Sequence, residues 1–157
     1  MSITSINELI SLLKKKDSYN HLRKQFKCRI RHGHFYRVVI IRELNVVVKF
    51  LKSKDERCRY AQDKNDSLFT CSGLKTGAQK FPRVGSKLGR HFLYPIWMNS
   101  CRSIIVQDLV DTSFPSSNIA YLYFHGKDFD MIEGTDIHEG NVGLFDGVPV
   151  IIDYWHK

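Results

Sequence analysis

Residues 134–154 read Gly-Thr-Asp-Ile-His-Glu-Gly-Asn-Val-Gly-Leu-Phe-Asp-Gly-Val-Pro-Val-Ile-Ile-Asp-Tyr. Asp136 stands five residues before Asn141, and Asp146-Gly147 separates two apolar runs, the second of which ends at Asp153. An Asp-Gly pair between apolar runs is a strong hairpin signal. These residue types suit phosphoryl transfer. That reaction needs a carboxylate to orient the attacking hydroxyl or take its proton, and oxygen ligands to hold Mg²⁺ against the phosphates. Asp136 and Asn141 on one loop supply both kinds of group. Asp153, returned by the hairpin, completes a metal site.

Charge is distributed unevenly. Residues 1–101 carry 21 Lys/Arg against 7 Asp/Glu, whereas residues 102–157 carry 3 against 9, for a net charge of +8 over 157 residues. A basic front half and an acidic rear half predict a site built between them, the front attracting phosphate and the rear holding metal. Eight of the cations fall in 14–31: Lys14, Lys15, Lys16, Arg23, Lys24, Lys27, Arg29 and Arg31. They offer a contact for nucleic acid or an acidic protein, but without the interleaved aromatics of a single-strand binder. The four scattered cysteines form no C-x-x-C pair, which argues against zinc and for buried, free thiols in a reducing cytoplasm. No apolar run is long enough for a membrane span, and Lys14-Lys15-Lys16 follows the first apolar stretch instead of preceding it, so no signal peptide is expected.

The chain long enough to position this chemistry is about one domain, expected to be α+β. Residues 3–16 have helical spacing, with Ser2, Thr4 or Ser5 as cap. Phe35 to Ile41 and Val46 to Phe50 read as strands joined through Arg42-Glu43-Leu44-Asn45. Residues 52–66 are polar, a short exposed helix or a loop, and 67–90 look loop-rich. His91 to Trp97 and Ser103 to Val110 are two further strand candidates. Ser116 to Phe124 reads as a short helix capped by Ser116 or Ser117. Val142 to Phe145 and Val148 to Ile152 form the hairpin.

The segment D-x-H-x-x-N, an apolar hairpin and a closing Asp resembles the catalytic loop and metal-binding strand of protein-kinase-like enzymes. The resemblance implies that Asp136 is the catalytic aspartate, Asn141 the metal-binding asparagine, and Asp153 the aspartate of the D-F-G position, where Asp153-Tyr154-Trp155 stands instead. His138 resembles the small-molecule phosphotransferases and short phage-encoded kinases; Gly134-Thr135 replaces the His-Arg pair of ordinary protein kinases. Upstream, Val46-Val47-Val48-Lys49 resembles the V-A-I-K strand, which nominates Lys49 for the phosphates. Arg31 to Val38 resembles the glycine loop, with Gly33 as its single glycine. Glu56 is the candidate partner of Lys49, with Asp63 or Asp66 as substitutes, and Gln107 to Asp111 falls where the hinge would sit.

The expected fold is therefore protein-kinase-like, with an antiparallel N-lobe sheet and a strongly truncated C-lobe, as a single domain over 1–157. Its parts would be a basic helical extension (1–30), an N-lobe-like region (31–111), and the catalytic loop with the metal-binding hairpin (112–157). The resemblance implies ATP and Mg²⁺ as cofactors, with Gly33, Lys49, Asn141 and Asp153 binding them and Asn141 and Asp153 on the metal. It also implies a host protein as substrate, phosphorylated on Ser or Thr in the host cytoplasm, by a phage or mobile-element protein. The alternatives are a pseudokinase-like protein that inhibits a host protein through its basic front half, a small-molecule phosphotransferase, and a nucleic-acid binder. A second copy, a partner or the first 30 residues would cover apolar surface left by the short rear half.

Overall fold

Ser5 opens the first helix, α1 (Ile6–Leu13), through a capping box: its hydroxyl accepts from the Glu8 amide, and Glu8 returns a bond to the Ser5 amide. Of the three expected caps, Ser5 is the one used. A second helix, α2 (Ser18–Gln25), follows at once. Tyr19, Leu22 and Phe26 supply its inward face at helical spacing, beneath a surface of cations that hides the pattern in the sequence. The chain then forms β1 (Arg29–His32), β2 (Tyr36–Ile41), β3 (Val46–Leu51), α3 (Lys54–Asp63), β4 (Trp97–Met98) and β5 (Ile104–Asp108). After these come α4 (Ser116–Phe124), β6 (Val142–Phe145) and β7 (Val148–Ile151). This computed structural model describes residues 3–33, 35–63, 91–125 and 137–153. Asp136 and the expected loop-rich segment 67–90 lie outside the described residues, as do Asp66 and Tyr154-Trp155.

The architecture is α+β with a five-stranded antiparallel sheet in the order β1–β2–β3–β5–β4 and a separate two-stranded hairpin, β6–β7. The turn between β2 and β3 is a short 3-10 turn over Arg42–Leu44, ended by Asn45 in the left-handed region at φ 53°, which asparagine tolerates. The backbone divides into two compact units, 1–78 with 95–107, and 79–94 with 108–157.

In the first unit α1 and α2 lie on one face of the sheet. Leu9, Leu12, Leu13, Leu22 and Phe26 pack with Val39, Ile41, Val46, Val48, Phe50 and Val106. Two eight-residue helices are too short to persist alone. Each buried large apolar side chain contributes roughly 1.5–3 kcal/mol, and that burial holds them. The edge of Tyr19 meets the Phe50 ring, and the Arg37 guanidinium covers Tyr19 at 5.0 Å.

The second unit has its own cores, Phe92, Ala120, Phe124, Val142 and Ile151 in one and Leu93, Val110 and Val150 in the other. The strand expected over His91 to Trp97 does not form as one piece. Phe92 makes an isolated parallel bridge to Ile151, and β4 begins only at Trp97. Pro95, which has no amide to donate, stands between these pairings. The helix expected over Ser116 to Phe124 forms with those bounds, but neither serine caps it: Pro115 occupies the N-cap. Ser116 instead donates to the Asp111 carboxylate at 2.7 Å, and Ser117 is buried. Phe114, Ile119 and Leu122 stay exposed on and just before this helix.

Of the cysteines expected to be buried and free, Cys28 and Cys101 are free thiols, but Cys28 is only half-buried and Cys101 is exposed; Cys71 and the Cys58 side chain lie outside the described residues. Hydrogen bonding to Ser103 lowers the Cys101 thiol below its ordinary value.

Candidate phosphoryl-transfer site

The hairpin of the second unit closes through Asp146 and Gly147, both at positive φ (48° and 75°), the geometry that makes Asp-Gly favourable in a two-residue turn. Val142 pairs with Ile151 and Phe145 with Val148. This register carries one step beyond the strands, where the Ile152 amide donates to the Asn141 carbonyl at 2.8 Å. Asn141 and Asp153 are thereby brought to the same end of the hairpin, both half-buried.

A 3-10 turn over Glu139–Asn141 delivers Asn141 to that place. His138 builds the turn. Its Nδ1 accepts from the Gly140 amide at 3.0 Å and its carbonyl from the Asn141 amide at 2.9 Å. A Cβ at position 140 would stand 2.8 Å from His138 Cε1, so glycine leaves the room the imidazole occupies. The His of D-x-H-x-x-N therefore shapes the loop that presents the Asn.

The hairpin is anchored to the chain ahead of α4. Asp111 and Leu144 exchange backbone hydrogen bonds at 3.0 and 3.1 Å. The Asp111 carboxylate accepts from the Ser113 amide and hydroxyl and from the Ser116 hydroxyl, and these bonds hold it below its ordinary value. Asp108, at the end of β5 where a hinge was expected, is raised instead, first by burial and then by Asp146.

The first unit carries Lys49 and Gly33. Lys49 is 4% exposed on β3. It faces away from the core residues Val46, Val48 and Phe50, since strand neighbours alternate. The register Arg31–Val38–Lys49 sets a second cation in the same row across β1, β2 and β3. Gly33 lies just after β1, in the turn to β2, and its amide donates to the Tyr36 carbonyl at 3.0 Å.

Two findings were not expected. Glu56, the candidate partner of Lys49, pairs with Arg37 and accepts from the Ser53 amide at 3.0 Å, so it caps α3 and ties it to β2. Lys52 is buried at the end of β3, and its Nζ donates to the Gly33 carbonyl at 2.5 Å. Burial, and secondarily Arg37, push its ammonium below the usual lysine value. A lysine directly after an apolar strand carries no sequence signal for either property.

Asn141 and Asp153 offer hard oxygen donors. Mg²⁺ takes one or two protein oxygens and fills its octahedron with phosphate and water, and an amide and a carboxylate are of the donor type it takes. Among the described residues no group of three or more His, Cys, Asp and Glu could hold a metal ion, and no helix is long and apolar enough to cross a membrane. Scans of this chain against protein-family models, curated proteins and solved structures find no match in any of the three.

Proposed function

We propose that the chain is a minimal kinase-like phosphotransferase that moves the ATP γ-phosphate to a Ser or Thr hydroxyl of a host protein, acting in the cytoplasm of a phage's host. The observation that carries this is the hairpin register, continued by the Asn141–Ile152 backbone hydrogen bond, which brings Asn141 and Asp153 to the same end of the hairpin. The order of elements supports it as well: an edge hairpin holding Gly33, then Lys49 on the next strand, a helix, two more strands, a second helix, and the loop and hairpin.

In this function Asn141 and Asp153 would hold Mg²⁺, the ion supplying charge neutralisation at a nucleotide's phosphates, and Lys49 would bind phosphate. Asp136 orients the acceptor hydroxyl and takes its proton as the oxygen bonds to the γ-phosphorus. The bond from that phosphorus to the bridging oxygen breaks, and ADP leaves. Calorimetry with ATP·Mg²⁺ on wild type and Asp153→Asn tests the site: wild type should bind and the variant should lose at least about tenfold in affinity. Absence of binding by wild type, or equal binding by both, refutes it. Transfer from labelled ATP unchanged in Asp136→Ala refutes the assigned base.

A second function is favoured by a different observation. Lys14, Lys15, Lys16, Arg23, Lys24, Lys27, Arg29 and Arg31 are all exposed in the first unit. They suit a host protein with an acidic surface, bound and inhibited without catalysis. A complex that survives mutation of both Asp136 and Asp153 supports this function, and its loss in a folded double variant removes it.

A further inference from the structure

Lys27, Arg29 and Arg31 fall on alternate residues where the chain enters the sheet, with Cys28 and Ile30 between them. Strand neighbours point to opposite faces. Cys28 and Ile30 pack against the core that α1 and α2 share with the sheet, so Arg29 and Arg31 stand on the other face, and Lys27 continues the alternation. All three cations are exposed, and among the described residues none of them is in an ion pair. Successive cations are about 6.6 Å apart along the strand.

β1 is an edge strand, paired to β2 alone. Hydrogen-bonded pairs alternate along an antiparallel ladder, and the bond from the Gly33 amide to the Tyr36 carbonyl fixes which ones they are. Counting back from Gly33–Tyr36 in the same register, Arg31–Val38 and Arg29–Ile40 are hydrogen-bonded pairs, so both arginines direct their backbone groups at β2. Ile30, between them, turns its amide and carbonyl to the open edge.

Such an edge accepts another strand, and charge decides which. A second copy pairing edge to edge would set this ladder of cations against itself, and like charges opposite one another are destabilising. An antiparallel strand with carboxylates on alternate residues does the reverse. Its acidic residues lie opposite Arg29 and Arg31 in the non-hydrogen-bonded pairs, where side chains come closest, and an apolar residue between them exchanges both backbone bonds with Ile30. A third acidic residue, two further on, meets Lys27. Nucleic acid matches the charge but not the edge, because a phosphate can accept from the Ile30 amide and has no donor for its carbonyl.

We propose that β1 is a docking edge for an extended acidic segment of a partner protein, added as a further strand with its carboxylates on alternate residues against Lys27, Arg29 and Arg31. This rests on the second function proposed above and narrows its acidic partner from a charged surface to a strand.

The test titrates wild type with two terminally blocked peptides of one composition, alternating Glu-Val-Glu-Val-Glu and its isomer Glu-Glu-Glu-Val-Val. A third peptide is the alternating one methylated on both valine amides. The alternating peptide should bind about tenfold more tightly than the isomer, and methylation should remove about as much. Bound peptide should slow solvent exchange of the Ile30 amide, while the amides of Arg29 and Arg31, already bonded to β2, stay unchanged. Equal binding of the two isomers, or an Ile30 amide unprotected by bound peptide, overturns the docking edge and leaves the acidic-partner function standing. A DNA duplex that outcompetes the alternating peptide assigns these cations to nucleic acid and also overturns it. So does a dimer in which the Ile30 amide is protected before any peptide is added, since a second copy then holds the edge. Wild type that binds neither isomer nor polyglutamate removes the acidic-partner function itself, an outcome distinct from these.

Discussion

Asp111 shows how a single side chain joins two parts of the candidate site. Its backbone pairs with Leu144 of the hairpin, while its carboxylate collects Ser113 and Ser116 ahead of α4. The hydrogen bonds from Ser113 and then Ser116 favour the ionised form, so its folded value lies below its unfolded one. A carboxylate lowered in this way adds stability that is present above the unfolded value, near pH 4, and lost as pH falls through the folded value. Asp111→Asn should therefore lower the urea midpoint at pH 7, and the gap to wild type should close in acid. A gap that stays constant from pH 7 to about pH 3 would show that ionisation contributes nothing. Glu56 teaches the complementary lesson. Its position seven residues after Lys49 nominates it for that lysine, yet Ser53 and Arg37 are nearer along the chain and across the sheet, and they take it.

At the scale of the element, the hairpin presenting Asn141 and Asp153 depends on how closely β6 approaches residues 110–111. A Cβ on Gly143 would stand 2.5 Å from Val110 Cγ1 and 2.6 Å from the Asp111 carbonyl oxygen. Alanine in a strand ordinarily gains about 0.5–1 kcal/mol over glycine. Here the backbone oxygen cannot yield without breaking the Asp111–Leu144 pair, and overpacking of this kind costs about 1–3 kcal/mol. Gly143→Ala should thus lower stability, read as a shifted denaturation midpoint with an unchanged slope. The hairpin was legible in the sequence because turn chemistry and apolar pattern agree there: Asp146-Gly147 joins two runs whose bounds the structure nearly reproduces. The strands of Tyr36–Ile41 and Val46–Leu51 were legible for the same reason. By contrast, α2 and β1 were obscured by charge. Tyr19, Leu22 and Phe26 mark a helix face, and Ile30 an inward strand position, but Arg23, Lys24, Arg29 and Arg31 dominate the local composition. Lys52 was illegible for a deeper reason, since a buried ammonium is recognisable only once the carbonyl it bonds has been brought to it from nineteen residues away.

At the scale of the whole molecule, the two proposed functions use different surfaces and can be separated. The cations of 14–31 are exposed, whereas Lys49 and Lys52 are buried. Exposed substitutions remote from structural bonds usually change stability by less than about 0.5 kcal/mol. Combined Lys14→Glu, Lys15→Glu and Lys16→Glu should accordingly leave the melting temperature and ATP·Mg²⁺ affinity unchanged. The same variant should leave a polyanion, either polyglutamate or a short DNA duplex, at lower salt than wild type. Salt dependence then identifies the partner. If the basic surface serves nucleic acid, duplex affinity should fall steeply with salt, and the slope should flatten by about 0.9 for each phosphate contact removed. A flat slope for wild type on the duplex, together with retained binding to polyglutamate, assigns the surface to acidic protein. If ATP affinity instead falls with the charge reversal, the lysines at the end of α1 belong to the nucleotide's field, and the separation of the two surfaces is wrong.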